Sequence, residues 1–166
     1  PGSLTVTFAD NSTATVENQN LIVRAKKGEK EPGEYPADAV EVTFAKGEGV
    51  TALDPENKVL VLKSGEELVA GDYPTVTVNT AEDYKEKANN VDYYDVKPGA
   101  VTKTQTATAT AEKQTDAEKY GDQLKAKDIV VWVGDTVDWK QGVEEIQGVT
   151  FKSVEDASSR TTETKG

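Results

Sequence analysis

Segments in which apolar and polar residues alternate at every second position recur along the chain and constrain its fold more than any other feature. Leu4–Phe8 (LTVTF), Val40–Phe44 (VEVTF) and Pro74–Val78 (PTVTV) show this pattern without interruption. Successive side chains of a β-strand point to opposite faces, so each segment places its apolar residues on one face of a sheet. Gly, Asn, Asp and Pro cluster between the segments, as is typical of turns. The pattern predicts an all-β fold with little helix.

Further strand-like segments fill the rest of the chain. Leu4–Phe8 and Thr13–Val16 flank an Asp-Asn-Ser turn and predict a hairpin. The other predicted strands are Asn20–Arg24, Lys58–Leu62, Val91–Asp95, Thr104–Ala111, Asp128–Val133 and Val149–Phe151. In Thr104–Ala111 (TQTATATA) the strict alternation of Thr and Ala indicates a shallow face or an edge position. The predicted helical segments are Ala81–Asn90 and one turn within Trp139–Gln147.

The distribution of turn residues divides the chain into several parts. Pro1–Ser3 has the composition of a cleaved expression tag, so we leave it out of the fold prediction. A charged, Gly- and Pro-bearing segment, residues 29–36, is interpreted as a linker between residues 4–28 and a middle module at residues 37–113. Residues 114–166 form the last part and end in a polar tail. We expect the whole to be internal to a larger protein.

The charge and the missing residue types narrow the function classes. Thirty acidic and 19 basic residues give a formal net charge of −11, which repels nucleic acid and anionic membrane surfaces. Cys, His and Met are all absent, so the chain has no thiol nucleophile, imidazole base or soft metal ligand. No segment approaches the length of a membrane span. We therefore expect no enzymatic activity, no cofactor, no nucleic-acid partner and no membrane partner.

Paired carboxylates and acidic turns are the remaining places for catalysis or metal binding. The carboxylate pairs are Glu66-Glu67, Glu144-Glu145 and Glu155-Asp156, and neighbours on a strand point to opposite faces. Oxygen ligands for calcium are offered by Asp54-Pro55-Glu56-Asn57, by Gly71-Asp72, and by Asp92 with Asp95, but none has the spacing of an EF-hand loop. We interpret these residues as solvated surface and turn residues and predict neither a catalytic nor a metal site.

Aromatic side chains are the candidates for ligand contact, because their faces bind sugar rings. Trp132 lies within an apolar strand-like segment and is predicted to be a core residue. Trp139 is flanked by charged residues and is a candidate contact. Of Tyr93 and Tyr94, adjacent on a predicted strand, one is expected to point inward and the other outward. The predicted ligand contacts are therefore Tyr93, Tyr94 and Trp139.

Two parts of the chain resemble the Rib/alpha-like tandem repeats of Gram-positive cell-wall-anchored surface proteins. The last part resembles the opening half of such a repeat, and the first part resembles its closing half. The residues that carry the resemblance are Asp116–Tyr120, Ile129–Thr136, Gly142, Thr161–Gly166 and Leu4–Ser12. The middle part resembles the small β-rich repeats that alternate with Rib-like units, through Ala37–Phe44, Val59–Gly65 and Ala107–Lys113. The chain would then be an out-of-phase piece of a tandem array.

The resemblance implies an immunoglobulin-like, Rib-type sandwich plus a second small β-rich module. It implies a structural stalk that projects a distal ligand-binding region from the cell wall, with neighbouring repeats as partners and without catalysis. The alternative is that the module itself adheres to a host protein, a glycan or another copy. Residues 4–28 and 114–166 together amount to about one Rib-like unit. We expect them to pair within one chain or between neighbouring chains.

Overall fold

The computed structural model describes all 166 residues and is rich in β-strand, which confirms the predicted β-rich class. The only α-helix, α1, is Asp116–Tyr120, and none of the helical segments is long and apolar enough to cross a membrane. The strands β1 to β10 are, in order, Gly2–Thr7, Thr13–Gln19, Lys27–Glu29, Ala39–Lys46, Val50–Asp54, Val59–Lys63, Glu67–Leu68, Thr75–Val78, Gly99–Ala100 and Gln105–Ala109. The 3₁₀ turns are Ala70–Asp72, Thr80–Glu82, Asn90–Tyr93, Gly121–Gln123 and Trp139–Gly142.

A four-stranded sheet in the order β10-β4-β6-β3 forms the base of the middle module. β4 is antiparallel to β6 and parallel to β10. Val42 and Phe44 of β4 are buried, whereas Thr43 between them is exposed, as the alternation of the sequence predicts. Strand β10 lies at the edge of this sheet with Ala107 and Ala109 fully buried, so the predicted edge position of the Thr-Ala segment is confirmed.

A single hydrophobic core closes the middle module, and every buried residue of the chain lies between residues 40 and 111. The strand pairs β5-β8 and β7-β9 complete the module around this core. At its centre the rings of Phe44, Tyr73 and Tyr94 meet with centroids 5.0 to 5.8 Å apart and tilted to edge-on planes. Such aromatic contacts stabilise a core beyond the burial of their surface. The two ends of the chain contribute no buried residue.

The middle module begins earlier than the sequence predicts. β3 pairs with β6 and forms an edge of the main sheet, so Lys27–Glu29 belong to this module and not to the first part. The Arg24 guanidinium binds Glu31 at 2.9 Å, donates to two backbone carbonyls and stacks 4.5 Å from the centre of the Tyr35 ring. The Lys30 amide donates to the Val59 carbonyl at 2.9 Å and its ammonium binds Glu41 at 2.7 Å, so residues 29–30 of the predicted linker belong to the module.

The predicted helix at Ala81–Asn90 is absent. The chain forms a 3₁₀ turn at Thr80–Glu82 and then adopts a left-handed conformation at Asp83, where φ is 66°. This conformation ends a helix, and it lets the Tyr84 ring pack against Gly49. The predicted strand at Val91–Asp95 is also wrong, because most of it forms the 3₁₀ turn Asn90–Tyr93.

The register of the sheet places the two exits of the middle module at opposite ends. Ala39, the first residue of β4, pairs with Lys63, whose amide donates to the Lys26 carbonyl at 2.8 Å. Ala109, the last residue of β10, pairs with Lys46, the last residue of β4. The first part of the chain therefore leaves from one end of β4 and the last part from the other. The eight residues of β4 separate these ends by about 23 Å at roughly 3.3 Å per residue.

Polar contacts attach the last part of the chain to the far end of the middle module. The Gln114 amide donates to the Asp83 carbonyl at 2.8 Å, and the Lys119 ammonium binds the Asp83 carboxylate at 2.6 Å. The Thr115 hydroxyl accepts from the Glu118 amide and starts α1, and Glu118 binds Lys85 at 3.2 Å. Residues 114–119 are therefore fixed at the end of the module opposite to the end at which the first part of the chain enters.

The alkaline stability of the middle module depends on its buried tyrosines. Burial raises the pKa of Tyr73 and of Tyr94 to about 12, above the value of about 10 for an unfolded tyrosine. Because the folded pKa is the higher one, the stability is fully present below about pH 10 and is lost as the pH rises towards 12. We expect urea midpoints to fall over this range. Tyr94→Phe should reduce this fall in the urea midpoint, because it removes one of the two titrating hydroxyl groups. The Pro74 carbonyl would still accept a hydrogen bond from Asn90.

Candidate functional site

The two predicted contact residues of the middle module lie in its core. Tyr93 is 6% exposed and Tyr94 is 1% exposed. The Tyr94 hydroxyl donates to the Pro74 carbonyl at 2.7 Å, and the Tyr93 hydroxyl accepts from the Lys87 amide at 2.6 Å. The prediction that one of the pair points outward is wrong, because these residues end a 3₁₀ turn, where neighbouring side chains need not point to opposite sides. Neither ring face is free for a ligand.

Trp139, the third predicted contact, starts a 3₁₀ turn in the last part of the chain and is half-buried. This turn confirms the helical turn predicted within Trp139–Gln147. The Arg160 guanidinium lies 5.0 Å from the centre of the indole and also binds the Asp156 carboxylate at 2.9 Å. The Arg160 guanidinium thus covers one face of the indole in a cation–π contact. Contact between Trp139 and a ligand stays a prediction.

Trp132 lies on the surface, so the prediction that it is a core residue is wrong. Its side chain is 82% exposed, and Val130, two residues before it, is 93% exposed. The predicted strands at Asp128–Val133 and Val149–Phe151 are absent. The amide and carbonyl groups of Ile129, Val130, Val131 and Val133 make no hydrogen bond within the chain. A segment with the composition of a buried strand therefore has no neighbouring strand, and most of its side chains are exposed to solvent.

The acidic residues form no metal centre. No group of three or more Asp and Glu side chains is arranged to hold a metal ion. Asp72 binds Lys27 at 2.8 Å and accepts from the Val69 amide, and Asp95 accepts from the Thr108 amide at 2.8 Å. Hydrogen bonds from Arg160 lower the pKa of Asp156, which keeps this carboxylate ionised and unsuited to act as an acid.

The hairpin β1-β2 has one apolar face and one threonine face. Leu4 pairs with Val16 and Val6 pairs with Ala14, so these four side chains share a face, which Phe8 extends. Thr5 with Thr15 and Thr7 with Thr13 form the opposite face. The large side chains of the apolar face are 39 to 54% exposed. We call the surface formed by Leu4, Val6, Phe8, Ala14 and Val16 the hairpin face.

The last part of the chain surrounds an open cleft of about 1000 Å³. Its apolar lining comes from the strand-like segment Ile129–Val133 and from side chains that follow it, including Val137, Trp139, Val143 and Val154. The tail closes one side, since the Thr162 carbonyl accepts from the Gly134 amide at 2.9 Å and the Thr162 hydroxyl donates to the Asp135 carbonyl at 2.7 Å. We call this feature the C-terminal cleft.

Sequence reasoning identified the hairpin and the apolar segment Ile129–Val133 but did not predict that both would be uncovered. One signal was available in the sequence, because the 25 residues of the first part are too few to enclose a core of their own. The candidate functional site is therefore a pair of apolar surfaces at opposite ends of the chain. No family model, curated protein or solved structure matches this chain.

Proposed function

We propose that this chain is a structural stalk unit of a Gram-positive, cell-wall-anchored surface protein, where it projects a distal ligand-binding region away from the wall. The observation that carries the proposal is the placement of the two chain exits at opposite ends of a closed middle module. Consecutive units joined in this way extend along a line, since each module adds its own length to the array. The proposal includes an extracellular location and no catalytic role.

The finer fold assignment belongs to the same proposal. Residues 4–28 resemble the closing half of a Rib-like unit and residues 114–166 the opening half, and an immunoglobulin-like sandwich would form when the two halves pack together. The support is reciprocal: the hairpin presents a bare apolar face, and the C-terminal cleft presents an uncovered apolar lining. Within this chain the two halves make no contact that would form the sandwich.

The charge of the chain suits a stalk. A net charge of −11 spread over the surface keeps neighbouring stalks apart and resists collapse of an array on itself. The closed core of the middle module contains no buried charged or polar residue that would weaken it.

The second candidate function is adhesion by the module itself, to a host protein, a glycan or a further copy. It is favoured by the exposure of Trp132 and its valine neighbours, since contiguous exposed apolar surface marks interaction sites.

Small-angle X-ray scattering of tandem chains with one, two and four copies tests the stalk proposal. We expect the maximum dimension to rise in proportion to the number of copies, because each copy enters and leaves at opposite ends. A matched control inserts a flexible Gly/Ser linker of about 20 residues between the copies, and its dimension should rise roughly with the square root of the copy number, as for a flexible coil. A dimension that grows no faster for the native array than for this control would overturn the stalk proposal.

A further inference from the structure

We propose that separate copies of this chain associate head to tail, with the hairpin face of one copy docked in the C-terminal cleft of the next. The proposed occupant of the cleft is thus a second copy of the same chain. The inference rests on the proposed function for its biological meaning, but its physical argument uses only the two surfaces and their positions. The contact is heterologous, so it propagates along a line and leaves one free hairpin and one free cleft at the ends.

Each surface supplies what the other lacks. The C-terminal cleft has an apolar segment whose backbone groups at Ile129, Val130, Val131 and Val133 are without hydrogen-bond partners. The hairpin is a two-stranded sheet with free strand edges and one apolar face. A hairpin of two strands is only marginally stable alone, and it gains stability when its apolar face is covered. Docking would pair a strand edge with Ile129–Val133 and bury the apolar side chains of both.

The connecting segment adds to the same surface. Leu21, Ile22 and Val23 lie between the hairpin and Arg24 and are 59 to 82% exposed. This sequence has the composition of a strand but forms none. Two separate strand-like segments in one chain, each apolar and each without a partner, favour pairing through backbone hydrogen bonds over contact by side chains alone.

The chain's own hairpin is poorly placed to fill its own cleft. Arg24 is fixed to the middle module by its contacts with Glu31, Pro32, Glu34 and Tyr35. Gln19, the last hairpin residue, is five residues away and can lie at most about 18 Å from it. The cleft begins beyond the other end of β4, about 23 Å further along the module. To fill its own cleft, the hairpin would have to fold back along the full length of β4.

Sedimentation velocity over a concentration series tests the association. We expect the wild-type chain to form dimers and then longer species reversibly, with a blue shift of tryptophan emission, because both tryptophans line the cleft. Val6→Asp on the hairpin face should weaken association at least tenfold. The matched control Thr5→Asp adds the same charge to the neighbouring residue on the opposite face and should leave association unchanged.

Variants of the cleft give the reciprocal result. Val131→Asp places a charge in the lining and should also weaken association at least tenfold, whereas Leu124→Asp alters an exposed residue outside the lining and should not. The near-ultraviolet circular dichroism of tyrosine reports the folding of the middle module in every variant, because five of the six tyrosines lie within it and both tryptophans lie outside.

A mixture of the Val6→Asp and Val131→Asp variants identifies the geometry. Each variant alone should be monomeric, but the mixture should form a one-to-one dimer and nothing larger, since only one intact hairpin meets one intact cleft.

Several results would overturn the inference. These are a wild-type monomer at all concentrations, a Val131→Asp variant that still dimerises through its hairpin, and a mixture that stays monomeric. A monomer whose Trp emission is blue-shifted and reverts in Val6→Asp would show closure within one chain instead. The scattering test of the stalk is a separate measurement, because it follows the growth of the maximum dimension in covalently joined copies.

Discussion

Leu62→Ala should lower the free energy of unfolding of the middle module by about 3 kcal/mol, the usual cost of truncating a buried leucine. Leu62 lies in β6 with strands on both sides and is 1% exposed. Its side chain belongs to the core that contains Phe44, Tyr73 and Tyr94, and the surrounding strands limit how far the cavity can collapse. Urea unfolding followed by tyrosine circular dichroism measures the change.

Leu124→Ala is the matched control for this substitution. Leu124 is 53% exposed in the last part of the chain and contributes nothing to the core of the middle module. We expect the unfolding transition of the module to shift by less than about 0.5 kcal/mol, as for an ordinary surface substitution. A comparable loss for both variants would mean that the last part of the chain supports the middle module, contrary to the burial pattern.

Gly49→Ala should destabilise the middle module by about 3 kcal/mol through two separate effects. Gly49 has φ of 76°, a left-handed conformation that costs a residue with a Cβ atom about 1 to 2 kcal/mol. The added methyl group would also overlap the Tyr84 ring, and such crowding costs about 1 to 3 kcal/mol. Thermal unfolding of the purified variant measures the sum.

Gly65→Ala separates the two effects. Gly65 also has a positive φ, 99°, but no atom lies within 4 Å of a Cβ atom placed there. This variant should lose only the conformational part, about 1 to 2 kcal/mol. If both variants lost the same amount, the Tyr84 ring would have moved aside at no cost. That result would remove the structural reason for a glycine at position 49 beyond its backbone conformation.

The strands of the middle module were the most predictable part of the fold. Val40–Phe44, Lys58–Leu62 and Pro74–Val78 were predicted as strands and coincide closely with β4, β6 and β8. Each has a strong local signal, because one face is buried and the other is not, or because the whole segment is buried. The hairpin β1-β2 was predictable for a related reason, since its turn residues directly join two alternating segments.

Other elements could not be predicted because their signals depend on distant residues. β3 is three residues of Lys, Gly and Glu, and it is a strand only because β6 offers it an edge. Tyr93 and Tyr94 resemble a strand pair by sequence, but both are buried. Tyr94 packs against Phe44 and bonds the Pro74 carbonyl, and the Tyr93 hydroxyl accepts from the Lys87 amide. The opposite error concerns Trp132, whose apolar neighbours predict a core that this chain does not assemble around it.

The sequence by itself determined the β-rich class, the positions of β4, β6, β8 and β10, and the two-faced hairpin. These features follow from residue type and from alternation over a few positions, which act locally. Only the tertiary structure decided which apolar segments are covered, where β3 pairs, and that the chain exits lie at opposite ends of β4. Burial is a property of pairs of distant segments, and an apolar sequence specifies the need for a partner without specifying the partner.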